Sequence, residues 1–320
     1  IDKRTVFVLG AGASCPYGYP SAALLRELIC LDTNLPSYDK LMGALGGNGR
    51  QLVSGFRKTF QDSSTKSIDL FMARNPNLAG IGKNFIGFEV FSAEGKSAFR
   101  EEAALKRAVL KYAQTRLSRD TYLRAKDFTG DDWYSYLFDR LTAGLVGKDA
   151  LPDCSDGQLA FITFNYDRSL EYFLYDSLRN SFTEVPQERV VDCLKSLRIL
   201  HVYGQVAPLK WQDPKEGVDY RPQITESLLQ AAAKNIKTIY EEKESAELAE
   251  AHKLLESAER IFFLGFGYAP ENMEVLNLPD LIPPGCEVYG TAFNMMDKEV
   301  EDILHTVRSG RKPDPNVPVP

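Results

Sequence analysis

Thr5-Val6-Phe7-Val8-Leu9-Gly10-Ala11-Gly12-Ala13-Ser14 is the stretch whose reading decides the fold. Four apolar residues, Val6 to Leu9, run without polar alternation into a glycine corner. An uninterrupted apolar run of this length predicts a strand buried on both faces of a parallel sheet. Gly10 permits the tight turn. Gly12 lets a backbone approach a ligand with no side chain between them, and the amides beyond it can face a phosphate from a helix N-terminus. The full dinucleotide fingerprint would place a third glycine where Cys15 stands and an acid about twenty residues further on. The corner alone therefore leaves the ligand open.

Working outward, Cys15 to Ser21 is broken by Pro16, Gly18 and Pro20 and reads as a loop or an interrupted first turn. Ser21 is placed to cap a helix carrying Leu24, Leu25, Leu28 and Ile29. Residues 41–153 read as an all-helical insertion. Gly43 to Gly49 is a flexible break, a short helix starts at Ser67, and Asn75–Gly82 ends it. Residues 97–119 carry the clearest amphipathic pattern, with Phe99, Leu105, Val109, Leu110 and Leu117 on one face. Asp131 is the expected cap of a helix bearing Trp133, Tyr136, Leu137 and Leu141, and the aromatic residues here read as core.

Strand–loop–helix order then returns. Leu159–Phe164 is a buried strand ending at Asn165-Tyr166-Asp167, with a helix through Leu178. Leu197–Tyr203 is a strand ending at His201-Val202-Tyr203-Gly204. Residues 224–257 are helical in two pieces around Glu241–Glu244, read as a solvated face. Arg260–Leu264 ends at Gly265-Phe266-Gly267, Cys286–Tyr289 ends at Gly290-Thr291, and Asp297–Val307 is a final helix. This alternation predicts an α/β, Rossmann-like open parallel sheet with helices on both faces. The sheet domain would comprise residues 1–40 and 154–310, with 41–153 the helical insertion and 311–320 a flexible tail. Ligands of such sheets bind outside the carboxyl ends of the strands. Here five strand ends carry small or polar residues, which favours nucleotide binding.

Composition excludes other classes. A net charge of −6 argues against a general nucleic-acid coat, so no direct nucleic-acid binding is expected. The five cysteines contain no closely spaced pair, so neither a structural zinc nor a disulfide framework is expected, and reduced thiols in the cytoplasm are the simplest reading. No apolar run approaches the roughly 18 residues of a membrane helix. Val6–Leu9 is too short for the apolar part of a signal peptide.

The strand ends together resemble the sirtuin-like family, in its prokaryotic NAD-hydrolysing branch. The resemblance rests on Gly10-Ala11-Gly12-Ala13-Ser14 followed by Gly18-Tyr19-Pro20, on Asn165-Tyr166-Asp167, on His201 with Gly204, and on Gly265-Phe266-Gly267 and Gly290-Thr291. It covers residues 4–40 and 158–308. It implies NAD+ as substrate, bound across the strand ends and cleaved between nicotinamide and ribose, with no metal. It further implies that Asn165 binds the ribose hydroxyls or places the water, that His201 is a general base, and that Asp167 contacts the carboxamide. Gly10, Ala11, Gly12, Ala13 and Ser14 would hold the pyrophosphate, Tyr19 and Pro20 and Gly204 would line the pocket, and Gly265, Phe266, Gly267, Gly290 and Thr291 would line the adenosine side.

Three departures separate this chain from the deacylases and their relatives. Ser21-Ala22-Ala23 stands where deacylases carry Asp-Phe-Arg. The zinc cysteines are missing. Tyr203 precedes the glycine where relatives have histidine, and His201 lies two residues earlier. The resemblance also implies a role in anti-phage defence through NAD+ depletion, restrained by homo-oligomer assembly or by a HerA-type hexameric ATPase partner. The residues have plainer readings too: Asp167 as a helix cap, Asn165 as a turn residue, His201 as a core histidine. Two functional alternatives stay open: a non-catalytic sensor of NAD+ or ADP-ribose, and a protein ADP-ribosyltransferase or deacylase.

Overall fold

The computed structural model describes residues 2–30, 38–96, 132–147, 150–154, 157–238, 241, 245–293 and 295–309. Strands β1 (Thr5–Leu9), β2 (Leu159–Thr163), β3 (Arg198–His201), β4 (Arg260–Leu264) and β5 (Glu287–Gly290) form one all-parallel sheet in the order β3-β2-β1-β4-β5. The chain leaves β1 toward one edge and returns to build the other. The point where the order reverses, at the carboxyl ends of β1 and β4, is where open α/β sheets bind ligands.

Register explains why β1 is central. Phe7 lies opposite both Phe161 and Phe262, and Phe262 lies opposite Tyr289. The rings stack into a row across one face, with centroids 5.3, 5.0 and 5.0 Å apart. Trp133 covers this row, 6.4 Å from Phe7. On the opposite face Val6, Val8, Ile162, Ile261 and Phe263 are buried. Both faces of β1 are apolar because helices cover both, as the unbroken run Val6–Leu9 requires.

The helices in chain order are α1 (Ala22–Cys30), α2 (Asp39–Ala44), α3 (Gly49–Asp62), α4 (Ile68–Arg74), α5 (Ala79–Lys96), α6 (Trp133–Thr142), α7 (Ser169–Ser181), α8 (Gln187–Ser196), α9 (Glu226–Asn235), α10 (Ala246–Glu256), α11 (Pro270–Val275) and α12 (Asp297–Ser309). Ser21 caps α1, its Oγ accepting from the Leu24 amide at 3.2 Å, and Ser67 caps α4. The described part of the block between β1 and β2 is helical. Its buried residues, Val53, Phe56, Phe60, Phe71 and Phe85 among them, belong to the same apolar cluster as the sheet.

The structure corrects several boundaries. Where the sequence reads as a break from Gly43 to Gly49, only 45–48 form a turn, between α2 and α3, and α3 with its apolar stripe Val53-Phe56-Phe60 went unread. The break after α4 ends at Leu78, and α5 runs on through Gly80, Gly82 and Gly87. Two of those glycines allow close packing: a Cβ on Gly82 would stand 2.5 Å from Met72 Sδ, and one on Gly87 3.2 Å from the Ala232 Cβ of α9. Asp132 caps α6, accepting from the Ser135 amide at 3.1 Å. Residues 97–119, Asp131 and the tail 311–320 lie outside the described residues. Glu241 belongs to an ion pair with Lys83 of α5, at 2.8 Å, rather than to a purely solvated face.

Candidate functional site

The glycine corner is built by backbones pressing against each other. Gly10 donates to Leu264 O at 3.0 Å and Gly12 to Gly265 O at 3.1 Å. A Cβ on Gly265 would stand 2.1 Å from the Ala13 amide nitrogen, and one on Gly12 2.8 Å from Gly265 Cα. Gly265 has φ +56°, which favours glycine independently of space. What Gly12 admits is therefore the backbone of Gly265, where the sequence reading had a ligand. Thr291 braces this contact: its Oγ1 accepts from the Gly265 amide at 2.8 Å. Gly290 makes room for the Tyr268 hydroxyl and Gly204 for the Asn235 carbonyl. Gly267, by contrast, is exposed, with open space where a Cβ would be.

Asn165 follows β2 and crosses beneath that corner. Its Nδ2 donates to Gly10 O at 3.0 Å and to Ser14 Oγ at 2.9 Å. A carbonyl oxygen only accepts, so these bonds fix the amide with its nitrogen toward the glycine loop. The other end, Oδ1, is buried and has no hydrogen-bond partner among the described residues, although Asn165 is only 8% exposed. The Ser14 hydroxyl also favours the ionised form of the Asp167 carboxyl. Asp167 Oδ1 in turn accepts from the Ser169 amide at 3.0 Å and from the Ser169 hydroxyl. Burial raises the Asp167 carboxyl above its ordinary range, against the opposing bonds from Ser169 and Ser14. Asn165, Ser14 and Asp167 thus form one polar chain directly under the glycine loop.

His201 ends β3 behind Asn165. Its Nδ1 lies 2.9 Å from the Asn165 carbonyl oxygen and its Nε2 lies 2.6 Å from Glu171 Oε1 on α7. The carbonyl accepts, so Nδ1 carries a proton. A carboxylate accepts from Nε2 in the same way, so the Glu171 contact favours the doubly protonated ring. Burial alone pushes the ring's pKa down, but the charge and hydrogen bond of Glu171, with the Asn165 carbonyl, outweigh it and raise the value. Both nitrogens are therefore engaged by protein, and neither is open to a water.

Three contacts that the sequence did not announce complete the surroundings. Arg168, fully buried, grips Glu94 of α5 with Nε and Nη2 at 3.0 and 2.9 Å and donates to the carbonyls of Pro208, Val218 and Asp219. This pair ties the helical block and the loop 205–223 to the start of α7. Tyr19 OH meets Tyr220 OH at 2.7 Å, and Tyr220 stacks on Tyr172 of α7. From α6, Trp133 Nε1 donates to Ala13 O at 2.8 Å, while Tyr134 stacks on Tyr17 and shares a hydrogen bond with Ser169 Oγ. The only hint of Arg168 was its place in the polar run after β2. Trp133 and Tyr134 showed no periodicity separating them from ordinary core; Tyr134 is buried and Trp133 partly so, whereas Tyr136, read as core from the sequence, is 63% exposed. Phe266 is likewise buried, against Phe164 and Phe263.

Of the residues singled out from sequence, Gly10, Ala11, Gly12, Ala13, Ser14, Asn165, Asp167 and Gly265 come together at the carboxyl ends of β1, β2 and β4, with Thr291 bracing them and His201 behind. Tyr19 joins the same cluster through its backbone, its amide donating to Ser14 O at 3.4 Å. Gly204, Gly267 and Gly290 mark neighbouring strand ends. Cys15 is no activated nucleophile: burial and the Asp167 charge raise its thiol, which donates to Ala11 O. Among the described residues no group of three or more metal-ligating side chains is gathered, and no helix is long and apolar enough to cross a membrane. Compared with family models and with curated proteins, the chain matches none.

Proposed function

We propose that the protein hydrolyses NAD+ to nicotinamide and ADP-ribose, with Asn165 at the reacting centre. The observation that carries this reading is the unpartnered Asn165 Oδ1, buried beside the switch point of a Rossmann-like sheet. A buried acceptor without a partner costs about 1–3 kcal/mol. A ribose hydroxyl or the attacking water, donating to Oδ1, would recover that cost.

The chemistry suits a site without a strong acid. The bond from ribose C1′ to the pyridinium nitrogen breaks, and nicotinamide leaves as a neutral molecule with the electron pair. The cationic sugar that results is captured by water, which forms the C1′–O bond and releases one proton. What the protein supplies is orientation and preorganised dipoles. Asn165 is assigned to the ribose hydroxyls or the water, Asp167 to the carboxamide, the turn Gly10–Ser14 to the pyrophosphate, and the corner Gly265–Gly267 to the adenosine side. His201 is assigned to holding the Asn165 backbone; it becomes a base only if Nε2 leaves Glu171.

The engagement of both His201 nitrogens favours a second reading, the non-catalytic sensor, in which Asn165 binds nucleotide without turnover. Calorimetric titration with NAD+, followed by chromatography of the same sample, separates the two. Nicotinamide and free ADP-ribose support the hydrolase, intact NAD+ after tight binding supports the sensor, and no binding refutes both. On the hydrolase reading the activity serves anti-phage defence and is restrained by assembly of copies or by a HerA-type hexameric ATPase. Activity measured across a gel-filtration profile, with and without such an ATPase, tests that restraint.

A further inference from the structure

We propose that Cys154 and Cys193 are a redox modification site, forming a reversible intramolecular disulfide when the protein meets a hydroperoxide. The two are 39 positions apart in sequence, yet their sulfurs lie 3.2 Å apart. Cys154 sits on the segment approaching β2, Cys193 on α8, and both thiols are half-buried.

The hydrogen-bond pattern assigns unequal roles. Cys193 Sγ donates to Pro152 O at 3.3 Å, so in the pair the Cys154 thiol donates and the Cys193 sulfur accepts. That bond favours the Cys193 thiolate and lowers its pKa against the opposing effect of burial. Thiolate is the reactive form toward peroxide. The Cys193 thiolate attacks one oxygen of the hydroperoxide, the O–O bond breaks, and the alcohol leaves after taking a proton. Cys193 is then a sulfenic acid. The Cys154 sulfur attacks it, the S–S bond forms, and the hydroxyl leaves as water with the Cys154 proton. Two thiols and one hydroperoxide thus give one disulfide, one alcohol and one water. Closing a bond of about 2.05 Å from the present separation needs an approach of only about 1 Å.

The position gives the bond a consequence. The cross-link would close a ring of chain containing β2, Asn165, Asp167 and Glu171, the residues of the candidate site other than the glycine corner and His201. It would staple the two ends of that unit without touching the site. The proposal does not depend on what the site binds.

The test is treatment of the full chain with hydrogen peroxide, followed by intact-mass measurement and peptide mapping without reduction. The expected result is a loss of about 2 Da per chain. Tryptic peptide 149–168 should be joined to 190–195, reversibly by dithiothreitol, with a raised melting temperature. Cys154→Ser and Cys193→Ser should each abolish the joined peptide, and Cys154→Ser should leave Cys193 as a sulfenic acid that a dimedone probe labels. A joined peptide involving Cys15, Cys30 or Cys286 instead, or unmodified Cys193 at peroxide concentrations that oxidise Cys15, would overturn the proposal.

Discussion

Glu171→Gln isolates the charge that the site places behind Asn165. In the native protein Glu171 and His201 are nearly fully buried and meet at 2.6 Å. Glutamine keeps the shape and one hydrogen bond but removes the negative charge. A bond to a charged group contributes about 1.5–3 kcal/mol, roughly twice a neutral one, so the substitution costs about 1–2 kcal/mol. At about 2.1 cal/mol/K per residue the unfolding entropy of this chain is near 0.7 kcal/mol/K, and the melting temperature falls by about 1.5–3 °C. The sign with pH is as informative as the size. The folded pKa of His201 is raised above its ordinary 6.5. The stability it contributes is therefore fully present below pH 6.5 and is lost as pH rises through the folded value. In Glu171→Gln burial prevails, the folded pKa falls, and the neutral ring is preferred. The gap between the two proteins should be narrow at alkaline pH and widen as pH falls through the native folded pKa and then through that of the variant. Nitrogen NMR reads the cause directly, because the chain has only three histidines. At pH 7 one ring should carry protons on both nitrogens in the native protein and on one in the variant. A neutral His201 in the native protein at pH 7 would falsify the imidazolium assignment and the positioning role built on it.

Other perturbations probe the frame. Arg168→Ala removes the cation paired with the buried Glu94 carboxylate and should cost about 3–5 kcal/mol, lowering the melting temperature by about 4–7 °C in calorimetry; Lys at the same position should rescue only in part, because it lacks the fork that reaches Glu94 and three carbonyls. Gly265→Ala puts a Cβ 2.1 Å from the Ala13 amide nitrogen, so the corner must open; calorimetric titration should show weakened NAD+ binding together with lowered stability. Trp133→Phe keeps the ring over Phe7 but removes the bond to Ala13 O, and should weaken NAD+ binding by a few-fold with a stability loss of about 1 kcal/mol.

Much of this architecture was legible in the chain. Val6–Leu9, Leu159–Phe164 and Arg260–Leu264 are apolar runs too short for helices and closed by glycine or polar residues, and parallel strands buried on both faces leave that trace. Ser21 and Ser67 announced their helices because capping is local. What depended on contacts distant in sequence was hidden. Gly82 read as part of a break until Met72 is seen against it. Gly12 read as a ligand approach, and only the fold reveals Gly265 opposite it. Asn165 and Asp167 could be placed at a strand end, but the orphaned Oδ1 depends on Gly10 and Ser14 more than 150 positions earlier. The role of His201 turns on Glu171, 30 residues away on the helix after β2, which no motif marked. Cys154 and Cys193 likewise meet only because α8 folds back beside the entry to β2.

In the proposed hydrolysis Asn165 organises the breaking of the nicotinamide–ribose bond. The most direct measurement is the rate of nicotinamide release from NAD+ by the purified chain over a series of protein concentrations, beside Asn165→Ala. The native chain should turn NAD+ over and the variant should lose about 100-fold or more, the scale on which a single preorganised polar group acts, while staying folded by circular dichroism. Undiminished turnover in a folded Asn165→Ala, or NAD+ bound by the native chain and recovered intact at every concentration with the ATPase partner present, would contradict it.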